Sequence, residues 1–243
     1  MPETIQLGER LSKGAEHHVF RDAEDPDYLY KLAAAWSFWQ NMTPELADRD
    51  LGILKAYGVP IAPTEVLEEG AEVIYPDGKE RPKKYVLRQK YIPNARPLNT
   101  EDLEDPEILA QIDDMMEKIH RIYMECDLGV DVLGGKAIKE LIKLIYTSNI
   151  QAEAYNMLLD EDKKVWLCDT RLYDFNFGFL PGLSLGLRQV QRFQYEIMGR
   201  FIDQAHDHNG NPNNETPNAS GVVMSTIGNV IHRIAKWRLA TSP

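Results

Sequence analysis

Tyr155-Asn156-Met157-Leu158-Leu159-Asp160-Glu161-Asp162-Lys163-Lys164-Val165-Trp166-Leu167-Cys168-Asp169-Thr170-Arg171 is the stretch on which the reading of this chain turns. Two short apolar runs, Met157 to Leu159 and Val165 to Leu167, flank five charged residues, Asp160 to Lys164. That pattern predicts a β-hairpin. Asn156 lies just before the first run and Asp169 just after the second, 13 positions apart. Closing the hairpin brings an amide oxygen and a carboxylate to one end of the strand pair.

Upstream, the first third of the chain reads as strands with one helix. Thr4 to Leu11, His18 to Phe20 and Tyr28 to Leu32 are short strand candidates. Ser12-Lys13-Gly14-Ala15 reads as a turn after the first, and Asp22 to Asp27 as a hairpin connection before the third. Thr43-Pro44-Glu45 predicts a helix start, with Thr43 as N-cap and Pro44 at the first helical position. Leu46, Leu51, Ile53 and Leu54 give that helix an apolar side, and Gly58 and Pro60 end it. Val66 to Tyr75 and Lys84 to Tyr91 read as a strand pair across Pro76-Asp77-Gly78, a turn signal.

From Glu101 onward the apolar period becomes helical. Ile108, Ile112, Met115, Met116, Ile119, Ile122 and Tyr123 recur at three and four. Further helices are expected at Ala137 to Tyr146, Leu187 to Ala205 and Val222 to Leu239. The polar stretch from His206 to Asn214 is too poor in apolar residues to pack, so residues 207 to 220 read as mobile and dispensable. The expected fold class is α+β and two-lobed. A strand-rich N-terminal lobe would span residues 1 to 92, and a mostly helical C-terminal lobe residues 93 to 243, with the boundary near Ile92-Pro93-Asn94.

The chain has 243 residues, 27 Lys+Arg against 38 Asp+Glu, and a net charge of −11. A chain this long buries a core without disulfides or a structural metal. Its acidic balance argues against nucleic acid or an anionic membrane as the main partner, since both need a basic face. It holds no run of about 18 apolar residues. Met1-Pro2-Glu3-Thr4 has neither the basic start nor the apolar stretch of a signal peptide. Cys126 and Cys168 match no metal or redox spacing, and two buried thiols in a cytoplasmic protein are expected.

In this order, the segments resemble the protein-kinase-like fold in a divergent form, of the bacterial or phage small-kinase kind. Leu11-Ser12-Lys13-Gly14-Ala15-Glu16-His17-His18-Val19-Phe20 lies over the family's glycine-rich loop. Gly14 stands at its middle glycine and Val19 at its characteristic valine, while Ser12 and His17 replace the other glycines. Lys31, in Tyr28-Leu29-Tyr30-Lys31-Leu32, falls at the phosphate-pairing lysine. Asp50, in Arg49-Asp50-Leu51-Gly52-Ile53-Leu54-Lys55, falls at the lysine's acidic partner, with Glu45 as the alternative in another helix register. Val86 to Asn94 resembles the last strand of the small lobe and the interlobe hinge. Gln89 is there the gatekeeper, and backbone groups of Lys90 to Ile92 face adenine. The Asn156–Asp169 hairpin resembles the family's metal hairpin at the spacing the family uses. The resemblance, which covers roughly residues 5 to 175, implies ATP and Mg²⁺ as cofactors, with Asn156 and Asp169 as metal ligands. The partners it implies are a nucleotide and an acceptor that is a protein or a small molecule.

The sequence departs from the family at the base. The family's catalytic Asp precedes the Asn by five residues, and here that position holds Gln151, which cannot take a proton. Asp127 and Asp131 in Cys126-Asp127-Leu128-Gly129-Val130-Asp131 follow the long helix, where the catalytic loop normally begins, and are the candidate bases. The His-Arg-Asp triplet and the later Ala-Pro-Glu anchor are absent. Three readings follow: an active ATP-dependent phosphotransferase, a pseudokinase that keeps the fold and binds without turnover, or a structural domain that binds no nucleotide. His120-Arg121 reads as a partly exposed pair, and His206 and His208 as solvated. Glu101-Asp102 and Glu104-Asp105 favour a helix start. The Asn-x-Ser/Thr matches at Asn41, Asn214 and Asn218 carry no meaning without a signal peptide.

Overall fold

The computed structural model describes residues 4–13, 17–33, 43–67, 71–82, 85–132 and 154–174, with Arg188, Tyr195, Met198, Gly199, Ile202, Asp203, Ala205 and His206. Several expectations lie outside these residues: Gly14, Gln151, the helices at 137–146 and 222–239, the stretch 207–220 with His208, and the Asn41, Asn214 and Asn218 sites. Of the expected 187–205 helix, Arg188, Tyr195, Met198, Gly199, Ile202, Asp203 and Ala205 are described, and all are helical. The chain divides into two compact units, Met1–Ala95 and Arg96–Pro243. The class is α+β, as the sequence patterns indicate.

In the first unit a seven-stranded sheet is built from β1 (Thr4–Lys13), β2 (His17–Asp22), β3 (Tyr28–Ala33), β4 (Thr64–Leu67), β5 (Glu72–Ile74), β6 (Glu80–Pro82) and β7 (Val86–Lys90). Their spatial order is β4-β7-β3-β2-β1-β5-β6. All neighbours are antiparallel except β1 and β5. Alternation sorts the side chains to two faces. Ile5, Leu7, Phe20, Tyr30, Leu32, Val73 and Val86 form one buried cluster. Leu87 and Tyr85 pack on the other side with Ala47 of α1 (Pro44–Ala56). That helix starts as expected: the Thr43 hydroxyl accepts from Leu46 N–H at 3.4 Å and Pro44 opens the first turn. Tyr57 caps its end, and Gly58, at φ +70°, takes a left-handed conformation natural to glycine.

One strand pairing differs from the sequence reading. The Pro76-Asp77-Gly78 turn joins β5 to β6, with Ile74 opposite Glu80, while β4 pairs directly with β7, with Val66 opposite Leu87. The stretch read as one strand from Val66 to Tyr75 holds two strands with different partners, because β5 adds in parallel to the edge of β1. A local turn signal fixes the turn but says nothing of which strand takes the far edge.

The second unit contains β8 (Arg96–Leu98), a 3₁₀ turn (Thr100–Glu104), α2 (Pro106–Cys126), β9 (Leu128–Val130), β10 (Ala154–Leu159), β11 (Val165–Leu167) and β12 (Leu172–Asp174). Asp105 caps α2 by accepting from Glu107 N–H at 2.9 Å, and Pro106 holds the first position. Of the expected helical stripe, Ile108, Ile112, Met115, Met116, Ile119 and Ile122 are buried, joined by Leu109, while Tyr123 is half-buried. Each such side chain contributes about 1.5–3 kcal/mol of transfer free energy, so this stripe is the main reason the helix holds. β10 lies between β11 and β8, and β9 pairs with β12. The thiol expectation fails: Cys126 is exposed and Cys168 half-buried. Cys126 is the last residue of α2, a turn beyond Ile122, where the helix runs past its packed stripe. No helix among the described residues is long and apolar enough to cross a membrane.

Candidate functional site

The β10–β11 hairpin forms in the register its sequence suggests, with Met157 opposite Leu167 and Leu159 opposite Val165. Its turn is closed by one side chain. Asp160 Oδ1 accepts from Asp162 N–H at 3.0 Å and Lys164 N–H at 2.8 Å, and Oδ2 accepts from Trp166 Nε1–H at 2.8 Å. Asp160 is thus committed to the turn. Lys163 sits at φ +60°, a left-handed conformation that the tight turn imposes on it.

At the other end, Cys168 N–H donates to Asn156 C=O at 2.9 Å, which extends the ladder by one step. Asp169 therefore lies one residue beyond the partner of Asn156. The Asn156 amide is oriented: Nδ2–H donates to the backbone oxygen of Asp131 at 2.7 Å. Its donor half faces Asp131, which leaves Oδ1 as the oxygen a cation would use. Asp169 Oδ1 accepts from Arg171 N–H at 3.2 Å, and its second oxygen lies outside that bond. Among the described residues no group of three or more His, Cys, Asp or Glu could hold a metal by itself. Asn156 and Asp169 supply two hard oxygen donors. That set fits Mg²⁺, which commonly takes one or two protein ligands and completes its shell with phosphate and water.

The two candidate bases are in different situations. Asp127 is the C-cap of α2, at φ +57°, and both its carboxylate oxygens accept from the Arg188 guanidinium. The Asp127 carboxylate raises the Arg188 pKa above its ordinary value. Asp131 is half-buried just past the end of β9, and its backbone is the one that Asn156 grips. Of the two, Asp131 is brought to the hairpin.

In the first unit Lys31 lies opposite Val19 and Leu87. Directly paired residues share a face, and Leu87 packs on Ala47 of α1. Lys31 and half-buried Val19 therefore sit on the α1 side of the sheet. On that helix Asp50 is 1% exposed and shares a buried stripe with Ala47, Leu51 and Leu54. Its Oδ1 accepts from Arg49 Nη2 at 2.6 Å and Nε at 3.0 Å. Glu45 is exposed at the first turn, where the Thr43 hydroxyl and a backbone N–H hold its carboxyl below the usual range. Gln89, buried, donates through Nε2 to Thr64 Oγ1 at 2.7 Å, and that hydroxyl donates to Ala62 C=O at 2.7 Å. Beyond it, Lys90 N–H donates to Pro63 C=O and Tyr91 N–H to Asp27 C=O, while Ile92 C=O accepts from Ala95 N–H. His17, the first residue of β2 and at a position where the resembled family has glycine, lies with Nε2 3.0 Å from the Tyr85 hydroxyl.

Sequence reasoning missed Gln111, Arg188 and Tyr195. Gln111 Nε2–H donates to Lys163 C=O at 2.8 Å and its Oε1 accepts from Val165 N–H at 3.1 Å, which ties the hairpin to α2. Tyr195 accepts at its hydroxyl from Val130 N–H at 3.3 Å. Each of these contacts spans more than 50 positions, and no local motif marks them.

No protein-family profile matches the sequence, and no curated protein matches it. Among solved structures, it is similar to a chain of the CAK complex from Chaetomium thermophilum bound to ATP-gamma-S, at 17% identity and TM-score 0.35. That match covers 70% of this chain and 47% of the other, so the chain spans about half its length. It is also similar to the choline kinase LicA from Streptococcus pneumoniae, at 8% identity and TM-score 0.35, over 92% of both chains. A likeness of that size decides neither fold nor activity.

Proposed function

We propose that the chain has a protein-kinase-like fold and is an ATP-binding phosphotransferase, with Asp131 as the general base. One observation carries the reading: the 2.7 Å bond from Asn156 Nδ2–H to Asp131 C=O. It joins a candidate metal ligand to a candidate base across 25 positions, where the resembled family needs only five. Gln151 at the family's usual base position is then no obstacle, because the chain lengthens between base and Asn and closes the gap with a side-chain bond.

In this reading Lys31, aimed by Asp50, orients the α- and β-phosphates, and Gly14 and Val19 belong to the loop over them. Lys90 C=O and Ile92 N–H offer adenine one acceptor and one donor. Asn156 and Asp169 would hold Mg²⁺, which would neutralise charge on the phosphates. Asp131 takes the proton from the acceptor hydroxyl as the new oxygen–phosphorus bond forms and the bond to the β-phosphate oxygen breaks, releasing ADP. The acceptor belongs to a protein or a small molecule, and the compartment is the cytoplasm.

His17, bonded to Tyr85 in place of a glycine, keeps open the second reading, a pseudokinase, since a side chain there holds the loop backbone further from a phosphate. Turnover separates the two. Asp131→Asn should lower ATP turnover by about 10²–10⁴ with Mg-ATP binding kept, the usual effect of losing a general base. A parent that is stabilised by Mg-ATP but turns nothing over supports the pseudokinase. Undiminished turnover in Asp131→Asn removes Asp131 from the role.

A further inference from the structure

Besides its ladder with β12, the segment that ends at Asp131 is held at three points by side chains distant in sequence. At its start, Asp127 turns the chain out of α2 in a left-handed conformation, φ +57°, and both its oxygens are taken by the forked guanidinium of Arg188. At its end, Val130 N–H donates to the Tyr195 hydroxyl at 3.3 Å. One residue on, Asn156 holds Asp131 C=O. Leu128, Gly129 and Val130 are buried, so water is poorly placed to replace the Tyr195 hydroxyl on Val130 N–H. Tyr195 is itself set by aromatic edges from α2. Its ring stands at 82° and 5.7 Å to Tyr123, and at 78° and 6.5 Å to His120.

We propose that Arg188 and Tyr195 are positioning residues for Asp131. Arg188 fixes the direction in which the chain leaves α2, and Tyr195 fixes the last peptide before the carboxylate. A planar fork on a carboxylate sets orientation as well as distance, which an ammonium does not. Displacement of a catalytic group by about 1 Å can cost about 100-fold in rate. Yet the side chains of Asp127 and Arg188 are 41% and 28% exposed, a setting in which an ion pair adds little to stability. Their loss should therefore cost rate far more than melting temperature. The proposal rests on Asp131 being the base.

The test compares the parent with Arg188→Lys, Arg188→Gln and Tyr195→Phe. Each variant should lower kcat for ATP turnover by about tenfold or more and leave KM for ATP and the stabilisation by Mg-ATP within about twofold, and the Arg188 variants should lower Tm by less than about 4 °C. Arg188→Lys should not rescue, because it keeps the charge and loses the fork. A second readout does not need turnover: the NMR shift of the Asn156 side-chain amide, identified by its disappearance in Asn156→Asp. It should move in Arg188→Gln and Tyr195→Phe as the Asp131 peptide shifts. A silent parent in which that resonance still moves contradicts the phosphotransferase reading and leaves the positioning intact. An unmoved resonance, an unchanged kcat in an active parent, or full rescue by lysine overturns the positioning.

Discussion

The β5–β6 and β10–β11 hairpins both turn through an aspartate, and they differ in what holds them. In the β5–β6 hairpin, Gly78 N–H donates to Tyr75 C=O at 2.8 Å and Lys79 N–H to Asp77 Oδ1 at 3.2 Å. Asp77 and Lys79 also form an ion pair, with side chains 55% and 65% exposed. The hairpin joins the sheet through β1. In the β10–β11 hairpin, Asp160 satisfies three donors, Gln111 reaches over from α2, β8 pairs along β10, and Asn156 grips Asp131. A turn sequence makes a hairpin; side chains from outside it fix where its end residues stand.

That contrast can be broken by removing the anchors in turn. The largest effect is expected from Asp160→Ala, which strands three donors of the turn. A loss of about 2–3 kcal/mol, read as a Tm drop of roughly 4–10 °C, is the expected result. Gln111→Ala removes the two bonds to Lys163 and Val165 and should cost about 1–2 kcal/mol in chemical denaturation. It should also weaken Mg-ATP binding, because the hairpin loses its hold on α2. A melting curve unchanged in Gln111→Ala would mean that the ladder alone fixes the hairpin.

A smaller effect is expected one strand away. Asp102 Oδ2 accepts from Asn99 N–H at 2.8 Å while Asn99 Oδ1 accepts from Asp102 N–H at 3.1 Å, and the Arg96 guanidinium, carried by β8, donates to both Asp102 oxygens. Burial pushes the Asp102 carboxyl up, but Arg96 and the Asn99 N–H pull it down further, so its pKa lies below the usual value. A depressed folded-state pKa gives stability that is present above the ordinary carboxylate range and lost as pH falls through the folded value. Asp102→Asn should therefore cost about 1 kcal/mol at pH 7, and the gap to the parent should close as pH falls below about 4. A gap that stays constant through that range would contradict the ionic account. The smallest effect is expected from Asp77→Ala in the other hairpin, within about 0.5 kcal/mol by thermal melting, since both partners are solvated.

The same contrast explains what the sequence could reveal. The β10–β11 hairpin was legible because apolar runs and charged turn lie within 15 residues, and α2 because its apolar stripe repeats at three and four. The helix start at Thr43-Pro44 was legible as a local cap. The pairing of β4 with β7 was legible too, but the partners of β5 were not, since its place beside β1 depends on residues far away in the chain. The buried fate expected of Cys126 failed for a related reason: exposure depends on where the packed stripe ends. Asp127 and Asp131 looked equivalent in sequence, and only Arg188 and Asn156, 61 and 25 positions away, tell them apart.

The central claim is that Asn156 and Asp169 close the hairpin into a Mg-nucleotide site beside Asp131. A calorimetric titration of Mg-ATP into the parent, Asp169→Asn and Asp174→Asn tests it directly. Both changes remove a carboxylate nearly isosterically, but Asp174 lies in β12 opposite Leu128, away from the register of Asn156. Asp169→Asn should weaken binding about tenfold or more, close to 1.4 kcal/mol, and Asp174→Asn should change it by less than about threefold. Equal weakening by the two, or unaltered binding in Asp169→Asn, would contradict the account.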